Sequence, residues 1–249
     1  MRPYLRHEQK AEMKKASAAD SVINPGSTAV SPSSDGAQNT LTSEAYRRLE
    51  EMIVTLELAP GSVVSEAILS RQIDIGTTPI REALHRLSRE YLVQIMPRRG
   101  VVVTPIDVRL QFEILETRRE LDRLLATAAA SRGNSADRAA IQSLVAPTEE
   151  AAQARDIKEF LRLDAQLNLL LARAARNTVA AETVARLHSI SRRFWFFHLD
   201  PPRHLPVTAR FHIDVVRAVA AGDAASAAQA SDCLIDHLVE FARQTLPHG

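Results

Sequence analysis

The stretch Ile73–Leu87, with the sequence IDIGTTPIREALHRL, decides the fold of the N-terminal part of this chain. Its Thr77-Thr78-Pro79 predicts a helix start, because a hydroxyl side chain can cap free backbone N–H groups and proline lacks the N–H that a first turn leaves unbonded. One face of the helix that follows is apolar at the spacing of successive turns, and it consists of Ile80, Ala83, Leu84 and Leu87.

A shorter helix precedes this one. Glu66–Gln72 has a helical pattern, and a tight turn at residues 74–76 joins it to the longer helix. Arg81 and Arg86 lie away from the apolar face, so the second helix is basic on its exposed side and both arginines are candidate DNA contacts. This arrangement is typical of a helix-turn-helix that reads DNA, although a helical hairpin inside a core would have the same spacing.

A basic hairpin is predicted directly after the two helices. Leu92–Met96 and Val101–Thr104 are β-prone runs, and a Pro-Arg-Arg-Gly turn separates them. Beside a helix-turn-helix, such a hairpin indicates a wing whose Arg98 and Arg99 reach DNA phosphates or the minor groove. A solvated turn is the alternative for the two arginines.

This part of the chain resembles the winged-helix domain of the GntR family of bacterial transcription regulators. The family run T-P-V-R-E-A-L is matched by TPIREAL at Thr78–Leu84, and Gly100 follows where the wing has a glycine. The resemblance implies that Thr78 and Arg81 contact DNA and that Gly100 approaches the minor groove. Thr77 stands where the family has a further arginine on DNA; its hydroxyl can bond a phosphate but cannot make the two-pronged contact of arginine with guanine.

Length and composition indicate more than one domain in a chain of 249 residues, of which 45% are hydrophobic. We expect a disordered extension at residues 1–40, the winged helix-turn-helix domain at 41–106, and a helical domain for effector binding and dimerisation at 107–245. Serine, proline and glycine crowd residues 20–40, which favours disorder; a basic arm on DNA is the alternative for the extension. The first helix of the winged domain is predicted at 41–57, with Thr42 or Ser43 as its cap.

Charge and cysteine content narrow the class of protein further. The net charge is only +1, but residues 78–100 hold five arginines against two glutamates, and a local basic surface is enough for DNA binding. The single Cys233 excludes a disulfide framework and fits a reducing compartment. No apolar run approaches the roughly 18–20 residues of a membrane span, and the N-terminus lacks a secretory apolar segment. We therefore expect a cytoplasmic protein without membrane contact.

From Asp107 onwards the pattern is helical. Apolar residues recur at helical spacing over 108–132, 136–145, 148–154, 156–175, 180–197, 207–221 and 224–245. Asn177 is predicted as a C-terminal helix cap, Pro147 as a helix breaker, and residues 199–206 as a loop. The predicted fold class is mostly α: an N-terminal winged helix-turn-helix domain plus a C-terminal all-α helical bundle.

The helical segment resembles the FCD-type ligand domain of the FadR branch of the GntR family. The resembling pieces are Glu116-x-Arg118-x-x-Leu121-Asp122, Asp164-x-x-Leu167-Asn168, Ala174-x-x-Asn177, Phe211-His212 and Ala218-x-x-x-Gly222-Asp223. In that family the bundle binds a small organic acid, often through a divalent metal. With the winged domain included, the resemblance covers residues 42–242 and implies a transcription regulator rather than an enzyme.

The resemblance also implies a metal site, which this chain matches in part. The family pattern D-x-x-x-H is Asp164 and Asn168 here, on one helix face, and His212 stands at the second histidine. Leu234 occupies the position of the last-helix histidine, and His237 lies one turn later. Asp164, Asn168 and His212 are therefore candidate ligands of zinc, nickel or manganese. Without metal, they are polar groups that hydrogen-bond the effector directly.

Two arginines are candidate anchors for a carboxylate effector. Arg118 matches an arginine that faces the ligand cavity in the family, and a guanidinium suits a carboxylate. A surface pair with Glu120 or Asp122 is the alternative for Arg118. Arg192 or Arg193 is the second candidate, with Arg192 preferred. Both belong to the run SRRFWFFH at 191–198, which otherwise indicates core packing or the apolar wall of a pocket.

The predicted function is a homodimeric, ligand-responsive transcription regulator. Two winged domains would read a two-fold symmetric operator on double-stranded DNA, and a small organic acid in the helical domain would change operator affinity, with relief of repression as the expected sign. Two other classes stay open: a metal-dependent hydrolase that uses Asp164 and His212, and a DNA-binding protein without an effector. Against the hydrolase, the sequence has no nucleophile–base pattern, no glycine-rich phosphate loop and no full metal set.

Overall fold

The computed structural model describes residues 34–97, 100–199 and 201–246. Its N-terminal domain comprises α1 at Ser34–Val54, β1 at Val63–Val64, α2 at Glu66–Ile73, α3 at Thr77–Arg89, β2 at Val93–Met96 and β3 at Gly100–Val103. The strands are antiparallel in the order β1-β3-β2, with Val64 and Ile95 both opposite Val101. The domain is the predicted winged helix-turn-helix, in which β1 pairs with the second strand of the wing.

The first helix differs from its prediction at both ends. It begins at Ser34 instead of Thr42 or Ser43, so residues 34–40, which we expected to be disordered, are helical. It ends at Val54, because Leu56 takes a left-handed conformation with φ of 62° that a helix cannot continue through. The rest of the predicted disordered extension, residues 1–33, lies outside the described part of the chain.

The helices α2 and α3 begin in different ways. The Ser65 side chain caps α2 by accepting the backbone N–H of Ile68. The start of α3 differs from its prediction: Gly76 is in the cap position, no side chain caps the helix, and Thr77 is already helical. Both threonine hydroxyls are consequently left unused by the helix start.

The C-terminal domain is the predicted all-α bundle. It comprises α4 at Val108–Arg132, α5 at Ser135–Gln142, α6 at Val145–Ala154, α7 at Ile157–Ala175, α8 at Thr178–His198, α9 at Pro201–Ala221 and α10 at Ala224–Gln244. Most of these helices begin at a side-chain cap that accepts a backbone N–H, namely Asp107, Asn134, Asp156, Asn177 and Asp223. No helix in the described part is long and apolar enough to cross a membrane.

Three local predictions in the bundle are wrong. Asn177 caps the start of α8 rather than the end of α7, where Arg176 takes the left-handed position. Pro147 lies in the first turn of α6 and does not break it, because a first turn leaves its N–H groups unbonded. Most of the predicted loop at 199–206 belongs to α9, in which fully buried Leu205 holds the segment against the bundle despite the neighbouring Pro206.

At their junction, each of the two domains packs buried residues into the core of the other. Ile114 of α4 and Ile190 of α8 pack into the core of the winged domain, and Val54 of α1 packs into the core of the bundle. α1 and α8 are therefore in direct contact, and side chains on α8 can touch the DNA-binding domain on one side and the interior of the bundle on the other.

Candidate functional site

The first turns of α3 present the side chains predicted to read DNA. Thr77 and Thr78 are exposed at the start of the helix, where free N–H groups and the helix dipole favour a phosphate. Arg81 is exposed one turn later and binds Glu66 of α2 at N–O distances of 2.7, 3.0 and 3.1 Å. The hydrogen bond and charge of Glu66 raise the pKa of Arg81, and the pair orients the guanidinium on the outer face.

Arg86 contacts α1 instead of lying freely on that face. Its guanidinium is 3.6 Å from the centroid of the Tyr46 ring and donates to Glu90 at 3.1 Å. Tyr46 donates its hydroxyl to the same carboxylate at 2.6 Å. Arg89, which our sequence reasoning did not select, is exposed at the helical spacing that continues the face of Arg81; that spacing alone was enough to find it.

Gly100 in the wing has a structural reason to be glycine. Its φ is +91°, and a Cβ there would lie 2.9 Å from the carbonyl oxygen of Val64. The pairing of β1 with β3 therefore requires glycine, whatever this residue contacts on DNA. Arg98 and Arg99, predicted at the tip of the wing, lie outside the described residues.

A small polar cavity lies inside the bundle between α4, α7, α8, α9 and α10. Its volume is about 30 Å³, and a second cavity of about 30 Å³ adjoins it. A volume of this size suits water-sized occupants, since one water needs roughly 10–15 Å³ on this measure. Each predicted effector residue lines one or both cavities, and these residues are Arg118, Asp164, Asn168, Arg192 and His212.

Arg118 is both paired and part of the cavity wall. Its side chain is only 8% exposed and donates to Asp122 Oδ2 from Nε at 3.0 Å and from Nη2 at 2.9 Å. His188 of α8, which our sequence reasoning did not select, bonds the other oxygen of Asp122 through Nε2 at 2.9 Å. Burial raises the pKa of Asp122, but the charges and hydrogen bonds of Arg118 and His188 outweigh it and lower the pKa, so the carboxylate is ionised.

His212 lies between two hydrogen-bond acceptors. Its Nδ1 is 2.9 Å from the carbonyl oxygen of Thr208, and its Nε2 is 3.1 Å from Asp164 Oδ1. Burial raises the pKa of the Asp164 carboxyl. The hydrogen bond and charge of His212, together with the charge of Arg192, outweigh burial and hold this pKa well below its usual range. These two contacts hold the His212 ring between the backbone of its own helix and the Asp164 carboxylate of α7.

These residues do not fit the metal site that the family resemblance implies. Asp164 Oδ1 accepts from the Asn168 amide at 3.2 Å as well as from His212. Leu234 lines the second cavity where a histidine is expected, and His237 bonds a threonine hydroxyl instead. Among the described residues, no group of three His, Cys, Asp or Glu side chains could hold a metal ion. The donor set therefore reduces to one carboxylate and one histidine, which is too few for a stable site.

Arg192 connects the cavity with the DNA-binding domain. Its side chain is 13% exposed and lines both the cavity and a cleft of about 670 Å³ that α1 and α3 form with α7 and α8. It donates to Glu50 of α1 and, at 3.1 Å, to Ser189 Oγ. Its Nη1 lies 3.8 Å from Asp164 Oδ2. A predicted effector residue is thus also a contact between the domains.

Trp195 is a cavity residue that our sequence reasoning assigned by default to core packing. Its ring lies 5.4 Å from Phe160 and 6.5 Å from Phe241, centroid to centroid, and only 5% of the residue is exposed. The indole N–H has no acceptor among the described residues. A buried donor left without an acceptor costs roughly 1–3 kcal/mol, so Trp195 is a candidate donor to a bound ligand.

Comparison with known families decides what kind of protein carries these sites. The profile of the FCD domain matches residues 113–237, half of the chain, and that of the bacterial regulatory proteins of the gntR family matches residues 41–103. The chain belongs to the GntR family of regulators and has an FCD domain. The predicted family is confirmed, and the chain is a transcription regulator. The hydrolase alternative has no support.

Proteins with a similar sequence to this chain are named as transcription regulators. The HTH-type transcriptional repressor RspR of Escherichia coli K12 is 26% identical over 204 residues, which cover 81% of this chain and 88% of RspR. The Nta operon transcriptional regulator of Aminobacter aminovorans is 26% identical over 166 residues, or 64% of this chain and 77% of that protein. The structure of E. coli McbR/YncC superposes with a TM-score of 0.72 at 19% identity, covering 82% of this chain and 97% of McbR, and supports the fold.

Proposed function

We propose that this regulator is a homodimeric, cytoplasmic repressor that leaves its operator when a small organic acid binds in the bundle. The observation that carries the proposal is the convergence of Arg118, Arg192 and His212 on one buried cavity. Two guanidinium groups and an imidazole ring beside the aromatic wall of Phe160 and Trp195 favour a ligand with a carboxylate and a short apolar body. Asp164 and Asn168 supply polar contacts that orient it.

The cavity must enlarge before an acid can occupy it, because its present volume of about 30 Å³ suits water. Side chains at its wall therefore have to move when the ligand binds, and Arg192 is one that also touches the winged domain. A ligand that moves such a residue changes the relative free energies of two domain arrangements, which is the requirement for control of DNA affinity.

On the DNA side, Thr77, Thr78 and Arg81 are proposed to enter the major groove. Arg98, Arg99 and Gly100 are proposed to reach the adjacent backbone and minor groove from the wing. A dimer would place two such surfaces about one helical turn of DNA apart, so the operator is expected to be two-fold symmetric. Arg86 of α3 is held against α1 by Tyr46 and bonds Glu90. Arg89 is therefore the better candidate for a direct phosphate contact.

The DNA-binding half of the proposal is tested by fluorescence anisotropy on the intergenic DNA next to the regulator's own gene. We expect saturable binding that exceeds binding to scrambled DNA and weakens with salt, since each phosphate contact releases counterions. Equal affinity for scrambled DNA would overturn sequence-specific binding. Size-exclusion chromatography with light scattering tests the dimer, and a monomer at operator-binding concentrations would overturn that part.

The effector half has a built-in reporter, because Trp195 is the only tryptophan in the chain and lies in the cavity wall. Titration with acetate, succinate, citrate and benzoate should change its emission for at least one acid, and the same acid should release the operator. An unchanged spectrum and unchanged DNA affinity with all four probes would leave a DNA-binding protein without a carboxylate effector and overturn this half.

A further inference from the structure

The buried ion pair between Arg192 and Glu50 is the contact that joins the ligand cavity to the DNA-binding domain. Glu50 lies on α1, and only 14% of its side chain is exposed, against 13% for Arg192. Among the described residues, Arg192 is the ion-pair partner of Glu50. A buried carboxylate depends strongly on its partner, because a charge left unpaired in a protein interior is severely destabilising.

Arg192 also has a carboxylate on its cavity side. Asp164 Oδ2 is 3.8 Å from Arg192 Nη1, a longer contact than the hydrogen bond from Nη2 to Glu50. Arg192 lines the cavity and the cleft between the domains, so its guanidinium stands at the boundary of the two spaces. A small displacement of the guanidinium therefore decides whether it contacts Asp164 in the cavity or Glu50 in the cleft.

Glu50 is close to the residues that hold the end of the recognition helix. Tyr46 lies one turn before it on α1, and both side chains line the cleft together with Arg86 and Glu90. Tyr46 donates to Glu90 and supports the Arg86 guanidinium on its ring. The partner of Arg192 thus lies on the same face of α1 as the contacts that fix the last turn of α3.

We propose that the effector's carboxylate competes with Glu50 for Arg192, so that ligand binding breaks the buried ion pair between the bundle and α1. This inference rests on the proposed function and assigns Glu50, a residue of the DNA-binding domain, as an internal competitor of the ligand. In the effector-free state Glu50 holds Arg192 at the cleft. In the bound state the guanidinium turns into the cavity, Glu50 is released, and α1 with α3 is free to change its position on the bundle.

Glu50→Gln is the direct test, because the amide keeps the size of the side chain and removes the competing charge. Glu51→Gln is the matched control: Glu51 is the next residue and also bridges the domains, through Arg162 at 2.7 Å, but it does not touch Arg192. Full-length proteins are titrated with the four acids by Trp195 emission. Operator anisotropy is then measured with and without acid.

Competition predicts that Glu50→Gln lowers the Kd for the acid by about tenfold, at the weak end of couplings measured for close charge pairs. It also predicts a smaller change of operator affinity on adding acid, because the contact that transmits the change is already broken. Glu51→Gln should match the wild type in both measurements. Glu50→Asp, which keeps the charge but withdraws it by one methylene, should shift the Kd in the same direction and serves if Glu50→Gln fails to fold.

The outcomes distinguish this inference from the proposed function. If the wild type responds to an acid and Glu50→Gln binds that acid equally or more weakly, the inference is overturned while the proposed function stands. If Glu50→Gln responds and the wild type does not, Glu50 suppresses binding and the inference is supported. If neither protein responds to any acid, the carboxylate effector fails and the inference falls with it.

Discussion

Arg193 of α8 donates to Thr104 twice, to its carbonyl oxygen from Nη1 at 3.0 Å and to its hydroxyl from Nη2 at 3.0 Å. Thr104 follows β3 directly, so a side chain of the bundle holds the segment that leaves the wing. Arg193 also bonds the carbonyl oxygen of Pro105 at 3.3 Å and is 2% exposed. Burial lowers the pKa of Arg193 to about 10, because its partners are neutral oxygens rather than carboxylates.

Replacing Arg193 with alanine should destabilise the protein. We expect the free energy of unfolding to fall by about 2–4 kcal/mol, since a buried side chain and its bonds to Thr104 and Pro105 are lost together. Urea denaturation measures this change. Arg186→Ala, an exposed position on the same helix, is the control and should change stability by no more than about 0.5 kcal/mol. Equal effects of the two substitutions would contradict a structural role for the Thr104 contact.

Gly100→Ala should distort the wing. The substitution adds left-handed strain and brings a Cβ to 2.9 Å from the Val64 carbonyl oxygen, so β1 or β3 must shift. Gly61→Ala is a matched control, since Gly61 has φ of +79° but nothing within 4 Å of the added Cβ. Thermal unfolding should show a cost of about 1–2 kcal/mol for Gly61→Ala and a clearly larger one for Gly100→Ala. A similar cost at both sites would show that the approach to Val64 is harmless.

Arg81→Ala should weaken operator binding more than binding to scrambled DNA. A base contact by arginine contributes about 1–3 kcal/mol of discrimination, whereas a phosphate contact would weaken both complexes alike and reduce the salt dependence. Anisotropy on the two DNAs separates these cases. Arg123→Ala, on α4 in the bundle and paired with Asp232 at 3.5 Å, should leave both affinities unchanged. If Arg81→Ala behaves like Arg123→Ala, α3 does not read DNA through Arg81.

Metal should be dispensable for this regulator. Arg118 and Arg192 line the cavity in the bundle, and His188, which also lines it, bonds Asp122. Among the described residues, no three His, Cys, Asp or Glu side chains could hold a metal ion. Dialysis against EDTA should leave the melting temperature and the response of Trp195 emission to acids unchanged. A specifically bound ion at about 100 times its Kd would add roughly 2.7 kcal/mol to the free energy of unfolding and raise the melting temperature. Zinc, nickel or manganese should cause no such rise. A stoichiometric rise that Asp164→Asn abolishes would restore the metal site.

His237 should contribute a loss of stability in mild acid. Burial, with the charges of His212 and His204, lowers the pKa of His237 to about 4. The unfolded chain takes up this proton near pH 6.5 and the folded chain only near pH 4, so the stability present above pH 6.5 is lost as the pH falls through that window. His237→Gln keeps an acceptor for Thr208 and should make the free energy of unfolding less dependent on pH between 6.5 and 4. An unchanged dependence would show that other groups account for the acid loss.

The helical periodicity of the sequence was enough to place the helices, and the turn residues were enough to place the wing. Errors arose where one residue type serves two purposes. Asn177 can end one helix or begin the next, and because only two residues separate α7 from α8 the two cases were indistinguishable in sequence. Residues 199–206 were predicted as a loop, although burial of Leu205 keeps most of that segment helical.

Candidate site residues were found where a family pattern exists, and missed where the contact crosses from one domain to the other. Arg118, Asp164 and His212 came from the resemblance and meet in one cavity. Glu50 carried no signal, because its partner Arg192 is 142 residues away and an isolated glutamate on a helix resembles any surface charge. Arg86 was selected for its charge, while its stacking on Tyr46 depends on how α1 packs against α3.

The sequence by itself determined the order of helices and strands, the winged helix-turn-helix with its basic helix, and the family. These follow from periodicity, capping and local spacing, which act over a few residues. Only the tertiary structure decided that His237 bonds Thr208 and does not replace the missing metal ligand at Leu234, that Trp195 lines the cavity in the bundle, and that Arg192 is paired with Glu50. Those outcomes depend on which helix faces meet across more than a hundred residues of chain, and packing of the whole fold selects them.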